Sequence, residues 1–167
     1  IDLLTQLNID GDVSDLSNII STQDIIIDSM GWTSHLGAIS NPSLDLRLNL
    51  HSHLYLLDYL KNYQKKDSLA ISLGSTGQYG NSILSDIDES VQMTPTDIQG
   101  ASKVSTESYY RVYANLFGIN VISLRIPNCF GENQPFIGED IGLIGGLIRS
   151  ALLSKNIEVY GHDRKRN

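Results

Sequence analysis

Gly74, Gly77 and Gly80 stand three apart, directly after the apolar run Leu69-Ala70-Ile71-Ser72-Leu73. A glycine loop at the end of a strand can cradle a phosphate with its backbone N–H groups, provided that a helix begins there. The residues that follow, Asn81-Ser82-Ile83-Leu84-Ser85-Asp86-Ile87-Asp88-Glu89, are acidic and carry no convincing helical period. A strand-ending turn is therefore the stronger reading of the glycines. The side chains around them offer other chemistry. Ser75-x-x-x-Tyr79-Gly80 presents a hydroxyl and a phenol, and Lys103 follows in a later segment. Gln99 and Lys103 are four apart, which puts both on one face of a helix. Arg125-x-x-Asn128-x-x-Gly131 comes after a third apolar run, with Asn128 free to act as a turn residue or as a ligand.

Other reactive residue types form no set. His51 and His53 are two apart on a helical stretch and face different ways. With His35 they lack a carboxylate or thiolate to complete a shell, so no metal site is expected. Cys129 has no activating cation in view and reads as a small buried residue. A single cysteine excludes an internal disulfide framework and, with no permitted glycosylation sequon, fits a reducing cytoplasm.

Charge removes further classes. Of 167 residues, 19 are Asp or Glu and 12 Lys or Arg, a net of −7, and such a surface repels nucleic-acid phosphates and anionic lipid. Apolar runs are too short to span a membrane, so neither nucleic acid nor membrane is expected as a partner. At 41% hydrophobic and 19% charged, the chain can build a core.

The elements that must position these residues alternate. Asp24–Asp28 is a short β-branched run, Ser68–Leu73 and Ile119–Ile126 are further stretches of strand length, and Ile157–Tyr160 suggests a fourth. Leu50, Leu54 and Leu57, flanked by Leu56 and Leu60, mark one face of a helix after a loop holding Gly31, Gly37 and Pro42. A second helix is expected from about Ala101 to Phe117, stopped by Gly118, and a third from Ile141 to Leu153. The segment from Ser82 to Thr96 reads as a loop. Strands taking turns with helices predict an α/β fold with a parallel, doubly wound sheet in three layers, whose ligands sit at the carboxyl ends of the strands. The chain opens on Ile1 and stops within the basic turn His162-Asp163-Arg164-Lys165-Arg166, so it reads as part of something longer.

Taken together, Ser75-x-x-x-Tyr79-Gly80, Lys103 and Arg125-x-x-Asn128-x-x-Gly131 resemble the extended short-chain dehydrogenases of the NAD-dependent epimerase/dehydratase family, which act on nucleotide sugars. Gly11-Asp12-Val13 is similar to the family segment that meets the adenine. Asp28-Ser29-Met30-Gly31 is similar to the turn along the cofactor. Pro42 and Asn49 match the opening of the next helix, Gly100-x-Ser102-Lys103-x-x-x-Glu107 the lysine helix, and Val159-Tyr160-Gly161 through Arg166-Asn167 the start of the substrate lobe. The resemblance implies an N-terminally incomplete Rossmann domain over 1–131, its glycine-loop half absent, and the beginning of a substrate lobe over 132–167. It implies NAD, with NADP less favoured, held by Asp12, Val13, Met30, Gly31, Asn49, Ser72 and Lys103. A nucleotide-diphosphate sugar would meet Thr76, Asn128 and Arg166, and the full-length protein would form a homodimer through the Leu50–Leu60 and Ser102–Leu116 helices.

The implied chemistry is hydride transfer at a sugar carbon, with Ser75 and Lys103 in catalytic places. The family tyrosine that takes the hydroxyl proton falls at Gln99, and an amide takes no proton at neutral pH. Tyr79 is one stand-in; Tyr109 and Tyr110 read as packing. Thr76-Gly77 also replaces the Asp-Glu pair of the family's dehydratases, so an epimerase or oxidoreductase is expected. The alternative is a silent member that binds nucleotide or a partner protein without turnover.

Overall fold

The computed structural model describes residues 14–81, 87–132, 134 and 142–157. Three strands, β1 (Ile25–Asp28), β2 (Leu69–Ser75) and β3 (Val121–Ile126), form one parallel sheet in the order β1-β2-β3. Ile25 lies beside Leu69, and Ala70 beside Val121, which aligns the carboxyl ends of all three strands. The helices are α1 (Ser14–Thr22), α2 (His35–Ser40), α3 (Pro42–Leu46), α4 (Ser52–Tyr63), α5 (Ile98–Phe117) and α6 (Leu143–Leu152).

Strand parity sorts the two faces of the sheet. Ile26, Ala70 and Val121 point toward α1, α4 and α5, where they pack with Ile20, Leu56, Leu57, Leu60, Tyr110 and Ile119. Burying each large aliphatic side chain contributes about 1.5–3 kcal/mol, so this seam anchors the domain. On the other face Ile25, Ile27, Ile122 and Leu124 remain 59%, 61%, 45% and 44% exposed. Among the described residues, then, the second helical layer of the expected three does not cover them.

Local chemistry explains the elements and two departures from expectation. The stretch around Gly37 is not all loop, because Ser34 caps α2 by accepting from the Gly37 N–H at 3.0 Å. Gly37 is required there, since a Cβ would stand 2.3 Å from the Trp32 ring. Asn41 then caps α3, with Pro42 at its first position. A single π turn, Arg47–His51, joins α3 to α4, and the Ser52 N–H reaches back to the Arg47 carbonyl. The second departure is at α5, which starts three residues before Ala101 because Asp97 caps it, its Oδ1 accepting from Gly100 N at 2.6 Å. Gly118 ends that helix in the left-handed conformation, φ 69°, as its position predicts. The strand expected at Ile157–Tyr160 lies almost wholly outside the described residues, as do Asp12, Val13 and Arg166.

Candidate active site

The glycine loop after β2 is a turn, not the start of a dinucleotide helix. Thr76–Tyr79 closes as one 3₁₀ turn, capped by Ser75. Ser75 Oγ accepts from Gly77 N at 3.1 Å, and Gln78 Oε1 accepts from Ser75 N at 2.8 Å. Gly74 is needed beneath it, because a Cβ would fall 2.3 Å from Gln78 Oε1. Behind the turn lies a buried ionic lattice. Gln78 Nε2 donates to Glu107 Oε2 at 2.7 Å, and Arg125 grips both oxygens of Glu107, through Nε at 2.8 Å and Nη2 at 2.6 Å. Arg111 adds a bond at 2.9 Å, and Arg125 Nη1 donates to the Tyr79 hydroxyl at 2.8 Å. The Arg125 hydrogen bonds, against the opposing effect of burial, hold the Glu107 carboxyl below the ordinary carboxylate range. Glu107 in turn pushes the guanidinium up. Tyr79 is therefore a strut of this lattice, buried at the back of the turn.

In front of the turn stands Lys103. Its Nζ donates to the Leu73 carbonyl at 2.9 Å, at the carboxyl end of β2. Burial pulls its pKa down, while the Asp28 and Asp45 carboxylates oppose that shift. Gly31, at φ 146°, lies beside it: a Cβ there would stand 3.4 Å from Nζ and 2.9 Å from Asn49 Oδ1. A bare backbone next to a half-buried ammonium that has one acceptor among the described residues leaves two N–H donors for hydroxyl groups of a ligand. That arrangement fits the ribose of a dinucleotide.

The walls are built by buried polar links. Asn49 brackets Trp32, its Oδ1 accepting from Trp32 N at 2.6 Å and its Nδ2 donating to Trp32 O at 2.9 Å. Asp45, fully buried, accepts from Asn49 Nδ2 and from Ser102 Oγ, both at 2.6 Å. Gln99 Nε2 donates to the same Trp32 carbonyl at 2.8 Å. Below β1, Asp28 Oδ2 accepts from the Tyr110 hydroxyl and meets His53 Nδ1, each at 2.5 Å, while its Oδ1 accepts from Met30 N at 3.0 Å. Burial drives the Asp28 carboxyl up, but the His53, Tyr110 and Met30 contacts together outweigh it and hold it below its ordinary value. Burial beside that carboxylate pushes the Tyr110 phenol far up, so it keeps its proton.

Ser75, Thr76, Lys103, Gln99, Met30 and Gly31 thus gather at the carboxyl end of the sheet, with Ser72 buried within β2. Asn128 follows β3 at the same end, exposed. Asn49 is present but fully buried, and its amide is spent on the Trp32 turn. Cys129 corrects the sequence reading: it is exposed, because it lies in the loop beyond β3, where its thiol donates to the Pro127 carbonyl at 3.3 Å. Tyr109 is exposed and not packed, whereas Tyr110 is fully buried. Among the described residues no cluster of metal-ligating side chains occurs. Sequence reasoning missed the roles of Asp45, Gln78 and Asp97. Only Asp97 left a signal, as an N-cap residue three before Gly100. An open cleft of about 890 Å³ runs along β3, the edge strand among the described residues, bordered by Thr76, Tyr79, Arg111 and Arg125, without Ser75, Gln99 or Lys103.

A parallel sheet whose carboxyl end carries a serine turn, a half-buried lysine and a glycine turn is the class of site a nucleotide-dependent oxidoreductase domain presents. The chain belongs to the NAD dependent epimerase/dehydratase family, whose sequence pattern matches residues 4–167. It is 26% identical over 149 residues to a putative UDP-glucose 4-epimerase of Methanocaldococcus jannaschii, covering 88% of this chain and 48% of that protein. It is also 26% identical over 141 residues to CDP-paratose 2-epimerase of Salmonella typhi, covering 75% of this chain and 41% of that one. The chain spans about half the length of the curated relatives it matches. Among solved structures, UDP-N-acetylglucosamine 4-epimerase from Methanobrevibacter ruminantium M1 superposes with a TM-score of 0.81 at 25% identity, over 89% of this chain and 47% of that one. UDP-glucose 4-epimerase from Thermotoga maritima gives 0.78 at 23%, over 89% and 48%, which speaks to the fold.

Proposed function

We propose that the protein is an NAD-dependent nucleotide-sugar epimerase, or a closely related oxidoreductase, working at a sugar carbon. The observation that carries this is the convergence of the Ser75 turn, Lys103 and Gly31 at one end of a parallel sheet in a chain of this family. When bound, NAD would accept hydride from a sugar carbon. Lys103 Nζ would hold the nicotinamide ribose, with Met30, Gly31 and Ser72 alongside, Asn49 fixing the turn, and Asp12 and Val13 meeting the adenine. Ser75 Oγ would hydrogen-bond the sugar hydroxyl, with Thr76 beside it, and Asn128 and Arg166 would grip the diphosphate, for which a guanidinium is well shaped. Cytoplasmic residence accords with the single exposed thiol.

Homodimerisation through α4 and α5 is part of the reading. Tyr109, Val112 and Leu116 form an exposed stripe at helical spacing on α5, and Tyr55 and Tyr63 are exposed on α4. Leu54 and Tyr113, by contrast, pack against the core. Charged replacements of Val112 and Leu116 in the intact protein should yield monomer by light scattering, since charge has no partner in an apolar interface. Unchanged mass refutes it.

The test of function is binding followed by turnover. The intact protein should bind NAD by calorimetry, and Lys103→Ala should weaken that binding about 10–100-fold, the value of a hydrogen bond from a charged donor. A panel of UDP- and CDP-sugars should then reveal which sugar is epimerised or oxidised. Failure to bind NAD, or NAD binding indifferent to Lys103→Ala, overturns the assignment. Binding of both ligands with no turnover on any sugar supports the silent-binder reading, for which Gln99 is the motive.

A further inference from the structure

We propose that His35, backed by Asp97, is the proton acceptor of this site, in the place that Gln99 leaves without one. The inference rests on the proposed function above. Hydride removal from a carbinol carbon requires the O–H bond of that carbinol to break as well, so some group must receive the proton. Gln99 offers an amide, and its Nε2 is already committed to the Trp32 carbonyl.

Among the described residues the other titratable groups around the site are engaged or buried, His53 meeting Asp28 through Nδ1 inside the core. The Tyr79 hydroxyl accepts from Arg125, the Tyr110 hydroxyl donates to Asp28, and both Asp45 oxygens are taken by Asn49 and Ser102. Asp28 and Asp45 are buried beyond the reach of a substrate. Lys103 binds the Leu73 carbonyl.

His35 is different. It opens α2 on the segment that begins with the Gly31 turn, and its side chain is 60% exposed. Its Nδ1 lies 3.5 Å from Asp97 Oδ2, while Asp97 Oδ1 is fixed by capping α5 at Gly100 N. One oxygen of this carboxylate therefore holds the helix and the other addresses the imidazole. Nε2 makes no hydrogen bond among the described residues. A base oriented by a carboxylate through its far nitrogen is a recurring arrangement for proton acceptors, and the separation is of the loose kind seen before a substrate is bound.

Position supports the role. The 31–35 segment is tied to the first turn of α5 twice, by Trp32 to Gln99 and by His35 to Asp97. Lys103 is one helical turn past Gln99 and borders Gly31. The Ser75 turn presses on the same helix end, where a Cβ on Gly100 would stand 2.8 Å from the Gly77 carbonyl. Serine turn, lysine, glycine turn and imidazole are thus all carried on, or packed against, the first two turns of α5 and the segment tied to it. In the step itself, the carbinol O–H proton passes to His35 Nε2, its bonding pair becomes the second C=O bond, and the carbon's hydride goes to the nicotinamide cofactor. Return of hydride to the other face and of the proton from Nε2 restores a carbinol.

The test uses the intact protein with NAD and its best nucleotide sugar. His35→Gln should lower kcat by about 10²–10⁴ with KM little changed, the loss typical of a missing acid–base group. His35→Ala should be rescued by added imidazole, which a purely structural role would not permit. Independently of turnover, the His35 ring signals of labelled protein should move on adding UDP-glucose without NAD and stay put on adding UDP. Turnover within threefold of wild type in His35→Gln, no imidazole rescue, or ring signals that answer UDP as they answer UDP-glucose overturns the assignment of His35 alone. Wild-type protein that binds neither NAD nor any nucleotide sugar, or binds both without turnover, overturns it together with the enzymatic reading.

Discussion

Replacing Glu107 with alanine should destabilise the protein more than any surface change, and the structure sets the size of the loss. The carboxylate accepts four hydrogen bonds, two from Arg125 and one each from Arg111 and Gln78. Removing it leaves the Arg125 guanidinium, whose side chain is only 11% exposed, without its counter-charge. Breaking one side of such a pair costs about 3–5 kcal/mol, because the remaining charge stays buried and unpaired. A double variant, Glu107→Ala with Arg125→Met, should recover part of that loss, since no buried charge remains. Urea unfolding of the intact protein measures both. A cost below about 1 kcal/mol for Glu107→Ala, or a double variant that loses the sum of the singles, would show that the lattice behind the Ser75 turn is not a coupled unit. The pH dependence follows with its sign. Because the folded Glu107 carboxyl is held below its ordinary value, the pair stabilises fully above the unfolded carboxylate range, and that stability is lost as pH falls through the lowered folded value. Arg125→Met should flatten this acid limb.

Gly80→Ala should cost about 1–3 kcal/mol by thermal melting, because Gly80 sits at φ 64° and a Cβ would meet the Thr94 carbonyl at 1.9 Å. A melt unchanged from wild type would contradict the close approach of the two loops. Asp28→Asn should cost about 1–3 kcal/mol, because an amide has one acceptor oxygen and cannot serve both the Tyr110–His53 pair on one side and the Met30 N–H on the other. It should also let the Lys103 ammonium titrate at lower pH, since Asp28 is the first of the two carboxylates that oppose its burial. Nitrogen-detected NMR of Lys103 reads the shift, and no movement counts against the coupling. Gln99→Tyr should place a phenol one turn from Lys103. If His35 is the working base, the added tyrosine leaves kcat within threefold, and a hundredfold rise would return the role to position 99.

The strands were legible because β-branched runs such as Ile25-Ile26-Ile27 and Val121-Ile122 fit a pleated surface of which one face is buried. Gly118 announced the end of α5 for the same local reason. Ser75, Gln99 and Lys103 could be singled out from a family pattern, which encodes spacing along the chain. The polar links could not. Glu107 meets Arg125 across 18 residues, Asp45 meets Ser102 across 57, and Asp28 meets Tyr110 across 82. No propensity or period records such partnerships, since each depends on two elements being docked first. The short helix α2 was hidden by Gly37, a poor helix former kept for the Trp32 ring above it.

The π turn at Arg47–His51 has a consequence for how this site can change over generations. In a regular helix each residue advances the side-chain direction by about 100°, so everything on one rod is locked in phase. A single extra residue taken up as a bulge breaks that lock. Upstream of it, Asp45 is aimed at Ser102; downstream, His53 is aimed at Asp28 and Leu57 into the core. Asn49 sits in the bulge, where its carbonyl receives the Thr106 hydroxyl at 2.7 Å and its amide brackets Trp32. Were the same residues wound as a regular helix with the downstream contacts kept, Asp45 would be turned about 100° away from Ser102. The rod is therefore two inheritable parts, one free to follow the ligand-facing loop and the other bound to the hydrophobic seam.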